Sequence, residues 1–319
     1  MFRSFFVYLS KASWARKIVT RWRVARRVAS RFVAGDVLAD AIQAIRDLNQ
    51  KGIDATLDLL GEHTTTPDEA RKTTEEILSV LDTIESTGVR ANVSVKLTQI
   101  GLALDPTLCT QNLTSILERA RQLGNFIRVD MEDSTVTQIT LDLLYQVREK
   151  GYQNVGIVVQ AYLYRSANDI AQLVDRGIPV RLCKGAYKEP SSVAYPKKRD
   201  VDSSYDRLTA ALLDGALRHG APTIGSDGKV PPLTALATHD ARRIDFATNM
   251  ASKMHLPKNA LEFQMLYGIR RDLQEQLAVE GYPVRVYVPY GTQWYPYYMR
   301  RMGERPANVW FIVSNFFRN

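Results

Sequence analysis

From residue 53 onward the chain alternates between short runs of β-branched and aliphatic residues and longer stretches whose apolar positions recur at three- and four-residue intervals. Eight of the short runs read as strands: 53–60, 91–97, 126–131, 155–161, 179–183, 233–238, 260–265 and 284–288. Helical periodicity covers 67–87, 108–123, 137–150, 167–176, 202–219, 240–252 and 270–278 between them. Strands separated by helices pair in parallel, because the chain must cross back over the sheet before the next strand begins. Eight such units favour a closed barrel over an open sheet, and no GxGxxG follows any strand as a dinucleotide-binding sheet would require. The expected fold is therefore α/β, a (β/α)8 barrel of the TIM type. Residues 36–319 would form one catalytic domain behind a helical arm at 1–35. No internal repeat competes with this division.

In such barrels the reacting groups stand where the strands end at their C-terminal side. Here those ends are polar: Gly61-Glu62 after the first strand, Lys96 on the second, Asp130-Met131-Glu132 on the third, and Gln160 with Tyr162 on the fourth. Arg181 and Lys184 follow on the fifth, Thr238-His239-Asp240 on the sixth, Gln264 on the seventh and Tyr287 on the eighth. Any one of these reads equally well as a solvated loop residue or an ordinary ion pair. Together they point inward, and burying Lys96, Asp130 and Arg181 without partners would cost several kcal/mol each, so a paired network around a ligand is expected. Beyond strand eight, Tyr297, Arg300, Arg301 and Glu304 share one face of a helix at i, i+3, i+4 and i+7. Two guanidinium groups beside a phenol make a clamp for a small carboxylate. The same face also reads as an exposed helix with an Arg300–Glu304 pair worth about 0.3 kcal/mol.

Composition narrows the class without changing it. The 319 residues are 45% hydrophobic and 24% charged, with a mean hydropathy of −0.22, as in ordinary soluble domains. No stretch nears the roughly 20 apolar residues that span a bilayer. Cys109 and Cys183 match no metal-ligand spacing, so no metal is expected. Residues 1–35 hold nine Lys/Arg and no acid, leaving 33 of the 42 basic residues against all 34 acidic ones. Phe2, Phe5, Phe6, Tyr8, Trp14, Trp22 and Phe32 interleave with those cations. Three readings of the arm stay open: a helix on an anionic membrane surface, gaining about 1 kcal/mol per cation, a lead-in packed on the barrel, or an organelle transit peptide. Nucleic-acid binding is not expected, since the excess charge is confined to one arm and no binding motif accompanies it.

Tyr297-x-x-Arg300-Arg301-x-x-Glu304 resembles the signature of the flavin-dependent proline dehydrogenase family. Gln160-Ala161-Tyr162, Arg181-Leu182-Cys183-Lys184-Gly185-Ala186-Tyr187, Ala237-Thr238-His239-Asp240 and Tyr287-Val288-Pro289-Tyr290-Gly291-Thr292 are similar to that family's strand ends, in the same order. The resemblance covers roughly residues 35–310 and implies a distorted β/α barrel. It implies oxidation of L-proline to Δ1-pyrroline-5-carboxylate by hydride transfer to FAD, with electrons passed to a membrane quinone, as the first step of proline catabolism to glutamate. An attached aldehyde dehydrogenase is not expected, so the product would be released.

By the family pattern Arg300, Arg301 and Lys96 would hold the substrate carboxylate, while Tyr287, Tyr297 and Leu266 pack against the ring. Arg181 would lie near the flavin N5, and Gln160 and Asp130 would support the isoalloxazine or the active-site network. Lys184, Gly185, Thr238 and His239 would face the pyrophosphate or adenosine, with Tyr187 and Gln264 in the same cofactor-binding set. Glu62 would pair with Arg300 and close the site, so Glu62→Ala should raise the KM for proline, and an unchanged KM would count against it. Lys188 and Glu189 receive no role. Tyr287 would crowd a 4-hydroxyl group and favour proline over hydroxyproline. The resemblance places the chain peripherally at the inner face of the cytoplasmic membrane, or alternatively in mitochondria. Two other classes remain: a Schiff-base lyase using Lys96 or Lys184, and a non-catalytic membrane-surface adaptor.

Overall fold

The structure is a computed structural model that describes residues 30–61 and 64–304, the side chains of 300–304 excepted. Its strands are β1 (Asp54–Leu59), β2 (Ala91–Val95), β3 (Ile127–Val129), β4 (Val155–Gln160), β5 (Val180–Cys183), β6 (Thr234–Ala237), β7 (Leu261–Leu266) and β8 (Val284–Tyr290). They form a closed barrel in sequence order, every neighbouring pair parallel. β8 closes on β1 in the register Asp54↔Arg285, Thr56↔Tyr287 and Asp58↔Pro289. The helices are α1 (Leu38–Asn49), α2 (Pro67–Thr87), α3 (Pro106–Gln122), α4 (Thr137–Glu149), α5 (Ser166–Asp175), α6 (Lys198–Arg218), α7 (Ala241–Lys253), α8 (Arg271–Val279) and α9 (Trp294–Glu304). The expected (β/α)8 barrel is thus present.

Alternation along each strand divides the barrel into two media. Outward positions such as Ala55 and Leu57, Val93 and Val95, Ile127 and Val129, and Val284, Val286 and Val288 join the main hydrophobic core with the helices. On α2 the facing residues Ile77, Val80, Leu81 and Ile84 recur at helical spacing, each contributing about 1.5–3 kcal/mol on burial. Inward positions are polar on most strands. Asp54, Thr56 and Asp58 stand on β1, Asn92, Ser94 and Lys96 on or just beyond β2, Arg128 and Asp130 on or just beyond β3, Arg181 on β5, Glu262 and Gln264 on β7, and Arg285 and Tyr287 on β8. Space inside is tight: a Cβ on Gly156 of β4 would overlap the Pro179 carbonyl and the Arg128 guanidinium.

The ends of α2 follow from local chemistry. Thr66 and Glu69 form a reciprocal capping box, Pro67 opens the first turn, and Gly88 closes the last with φ 66°. Several boundaries differ from expectation by one to four residues, and one helix was not expected. β2 stops at Val95 because Lys96 N–H donates to Gln99 Oε1 at 2.8 Å and turns Leu97–Ile100 into a 3₁₀ turn. α6 begins four residues early, at Lys198, where an i,i+4 ion pair to Asp202 supports a first turn that has no apolar pattern. α1 precedes β1 and packs against β1 and β8; the expected helices did not include it.

Residues 1–29 of the expected arm lie outside the described residues. Its last residues pack on the barrel, with Phe32 and Val33 buried and Ala34 N–H donating to the Pro289 carbonyl at 2.9 Å. Among the described residues no helix is long and apolar enough to cross a membrane.

Candidate active site

At the C-terminal end of the barrel inward side chains from six strands, on or just beyond β1, β2, β3, β5, β7 and β8, meet. Tyr287 O–H donates to Asp130 Oδ2 at 2.7 Å. Asp130 Oδ1 accepts from Arg181 Nη1 and from Ser94 Oγ, both at 3.0 Å. Lys96 Nζ lies 2.7 Å from Asp58 Oδ1, 3.3 Å from the Tyr287 hydroxyl and 3.5 Å from Asp130 Oδ2. Arg181 also donates to Gln264 Oε1, and its guanidinium stands 5.4 Å from the centre of the Tyr287 ring. Two cations and two carboxylates make the cluster neutral overall, which is the paired network that inward convergence demanded. Burial, reinforced by the Asp130 and Asp58 charges, pushes the Tyr287 phenol well above its ordinary range, so it remains a hydrogen-bond donor. Burial likewise raises the Asp58 carboxyl, with Lys96 opposing and Asp130 reinforcing the shift.

This cluster is tied to the barrel floor. Gln264 Nε2 donates to Glu262, which receives Arg285 Nε at 3.1 and 3.0 Å. Arg285 in turn donates to the carbonyls of Ala55 at 2.8 Å and Gly228 at 2.7 Å. A carboxylate accepts only, so Glu262 dictates that the Gln264 amide turns its oxygen toward Arg181. Gln264 is thereby engaged at both ends, and its hydrogen bonds support Arg181.

The rim is built from the loops that follow β3, β4, β5 and β6. Gln160 Nε2 donates to the Glu132 carbonyl at 2.8 Å, and Gln160 Oε1 accepts from Ala186 N–H at 3.4 Å, joining the ends of β3, β4 and β5. Gly185, at φ 115°, lies against the Tyr162 ring where any Cβ would overlap it. Glu189, given no role from sequence, accepts from Ser134 N–H at 2.8 Å and Ser134 O–H at 2.5 Å. Tyr187 is half-buried on the same loop. Lys184 sits between Asp202 at 2.5 Å and Asp240 at 2.7 Å. Thr238 is buried, and its Oγ accepts from Asp240 N–H at 3.1 Å. His239 Nε2 accepts from the Leu266 amide at 2.9 Å, which places the neutral ring's hydrogen on Nδ1. Leu266 pairs in register with Tyr287.

Tyr297 is buried on α9, which also carries positions 300, 301 and 304, so the spacing that suggested a shared face does fall on one helix. The side chains of Arg300, Arg301 and Glu304, and the whole of Glu62, lie outside the described residues. Asp58, Ser94, Glu262 and Arg285 were not read from sequence. Their signal was period-two polarity on strands whose other positions are apolar.

The arrangement weakens the lyase alternative. A Schiff-base lysine needs its amine free to attack a carbonyl, yet the nitrogens of Lys96 and Lys184 are each held in ion pairs with carboxylates. Among the described residues no group of three or more His, Cys, Asp or Glu is placed to hold a metal ion.

Fold and site define a β/α-barrel enzyme whose mouth, at the C-terminal strand ends, holds a charge-paired cluster with a phenol in it. The sequence profile described as "Proline dehydrogenase" matches residues 41–314. Proline dehydrogenase 2 of Bacillus subtilis (strain 168) is 40% identical over 98% of this chain and 97% of its own. Proline dehydrogenase of Deinococcus radiodurans is 42% identical over 91% of this chain and 90% of its own. Among solved structures, proline utilization A (PutA) from Bdellovibrio bacteriovorus inactivated by N-propargylglycine superposes with a TM-score of 0.79 at 25% identity. That match covers 95% of this chain and 36% of the longer PutA chain. The chain belongs to the proline dehydrogenase family.

Proposed function

We propose that this proline dehydrogenase oxidises L-proline to Δ1-pyrroline-5-carboxylate with FAD as the hydride acceptor, and that the electrons pass to a membrane quinone as the first step of proline catabolism to glutamate. The observation that carries the reading is the neutral Lys96–Asp58–Asp130–Tyr287–Arg181 cluster at the barrel mouth of a chain some 40% identical to proline dehydrogenases.

The donor set fits FAD. Arg181 is a buried guanidinium fixed by Asp130, Ser94 and Gln264, a permanent donor for the polar edge of a flavin ring. Two of the three Lys184 ammonium hydrogens go to Asp202 and Asp240, leaving one for a phosphate oxygen. Thr238, His239 with its Nδ1 hydrogen, and the glycine at 185 stand on the adjoining loops, with Tyr187 and Gln160 beside them. When bound, FAD supplies the two-electron acceptor that no side chain provides.

The chain's own residues position the substrate. Lys96, with Arg300 and Arg301 from α9, holds the carboxylate of proline. Tyr287, Tyr297 and Leu266 pack against its ring, and Asp130 fixes the Tyr287 hydroxyl. Catalysis then comes from holding the reacting carbon in place. Glu62 pairs with Arg300 to close the site. Tyr287 also sets specificity, since its phenol crowds a 4-hydroxyl; comparable kcat/KM for proline and hydroxyproline would overturn this. The basic aromatic arm at 1–35 brings the enzyme to the anionic inner face of the cytoplasmic membrane, where the quinone is dissolved.

The test is a visible absorption spectrum before and after anaerobic L-proline. A flavin spectrum that bleaches is the expected result. A colourless protein that fails to bind added FAD would overturn the reading.

A further inference from the structure

We propose that Asp58 is a positioning residue for substrate binding, which fixes the Lys96 ammonium group at the base of the mouth and keeps it charged for the substrate carboxylate. The inference rests on the proposed role of Lys96 as a carboxylate ligand.

Asp58 is the highest charged inward position on β1, with 1% of its surface exposed. Its Oδ1 accepts from Lys96 Nζ at 2.7 Å, and its Oδ2 is buried without a hydrogen-bond partner. Lys96 lies just beyond the end of the next strand, one inward step above Ser94, which pairs in register with Asp58. The other carboxylate facing Lys96 is Asp130, and its charge is already engaged. It accepts from Tyr287, Ser94 and Arg181, with Arg181 at 3.0 Å against 3.5 Å for Lys96. Burial and a neighbouring guanidinium both disfavour a charged lysine. Among the described residues the charged and titratable groups around Lys96 are Asp58 from β1, Asp130 from beyond β3, Arg181 from β5 and Tyr287 from β8, and of these Asp58 is the carboxylate placed to oppose the effect of burial and of Arg181. A carboxylate held on one side also limits where the flexible four-carbon stem can place its ammonium.

The experiment compares the FAD-loaded full chain with its Asp58→Asn and Asp58→Glu variants. Asp58→Asn is expected to keep its flavin spectrum while the KM for proline rises about tenfold to a hundredfold and kcat changes less. Its kcat/KM profile gains a falling limb on the alkaline side, because Lys96 now loses its proton within the assay range. Asp58→Glu restores the parent profile. Binding of cyclopentanecarboxylate, which has ring and carboxylate but no amine to oxidise, is followed by the flavin absorbance and should lose affinity in Asp58→Asn along the same limb. An Asp58→Asn enzyme with the parent's KM and pH profile overturns the proposal. If that variant does not fold, the parent decides: its cyclopentanecarboxylate affinity should be flat from pH 6 to about 9, and a fall below pH 8 overturns the proposal. A parent that neither binds FAD nor oxidises proline sinks the proposed function instead, so the two failures are distinguishable.

Discussion

Replacing Glu262 with Leu would leave the Arg285 guanidinium, 1% exposed, with two carbonyl acceptors and no hydrogen-bonded carboxylate, the Asp54 charge on β1 acting on it only through space. Arg285 now receives two carboxylate contacts at 3.0–3.1 Å and donates to Ala55 and Gly228. Removing one partner of a buried pair costs about 3–5 kcal/mol, because the remaining charge is stranded away from water. With a urea m-value of about 3 kcal/mol/M for a domain of this size, the midpoint should fall by about 1 M or more. Arg285→Met is destabilised too, but differently. Its orphaned carboxylate can take up a proton, whereas the guanidinium of Glu262→Leu cannot lose one in any usable range. A carboxylate that must be discharged to stay buried favours the fold at low pH and loses that benefit as the pH rises. Relative to the parent, Arg285→Met should therefore regain stability between pH 8 and pH 5 while the deficit of Glu262→Leu stays flat. The double variant, which strands no charge, should recover at least half of the loss, the rest being the two carbonyl partners. The assay is urea unfolding followed by far-UV circular dichroism across that pH range. A midpoint shift under about 0.3 M for Glu262→Leu, or identical pH slopes for the two single variants, would refute the reasoning.

Gly185→Ala must adopt φ 115° and place a methyl group in the Tyr162 ring, so it should lose about 2–4 kcal/mol in the same urea assay, and an unshifted midpoint would show that the loop relaxes freely. Tyr287→Phe removes the donor to Asp130 at 2.7 Å and the acceptor for Lys96 at 3.3 Å; steady-state kcat/KM for proline should drop about tenfold, and an unchanged value would remove the hydroxyl from the account. Burial pushes the Cys109 and Cys183 thiols up to about 12 each, against about 8.5 in an unfolded chain. The folded state therefore holds its advantage at these groups below about pH 8.5 and loses it as the pH climbs toward 12. Both thiols should react with an aromatic disulfide reagent at pH 8 far more slowly in the native protein than in urea, and equal rates would contradict the burial argument.

The barrel was legible because its strands and helices differ in period as well as in composition, and because helix ends such as Thr66-Pro67-Asp68-Glu69 and Gly88 carry their own stop and start chemistry. The end of β2 was not, since Leu97 continues the apolar run and the turn depends on Gln99 reaching back to Lys96. Lys96, Asp130, Arg181 and Tyr287 could be picked out as polar groups at strand ends. Asp58 and Ser94 belong to the same cluster yet read individually as ordinary polar residues inside short strands. Only alternation followed across several strands at once marks them as facing inward. The double engagement of Gln160 and Gln264 was out of reach for another reason: Gln160 is held by partners on two other loops, and Gln264 takes the orientation that Glu262 on its own strand and Arg181 on β5 dictate together.

The polar lining also constrains how this sequence can drift. Among the described residues, Asp54, Asp58, Asp130 and Glu262 face Lys96, Arg128, Arg181 and Arg285 inside one barrel, four charges of each sign. Most single charge-changing substitutions there pass through a stranded ion and so through a protein close to its stability threshold. Descendants of such an interior diverge by compensated exchanges, two positions at a time, while the aliphatic shell outside the strands remains free to vary one residue at a time within its volume.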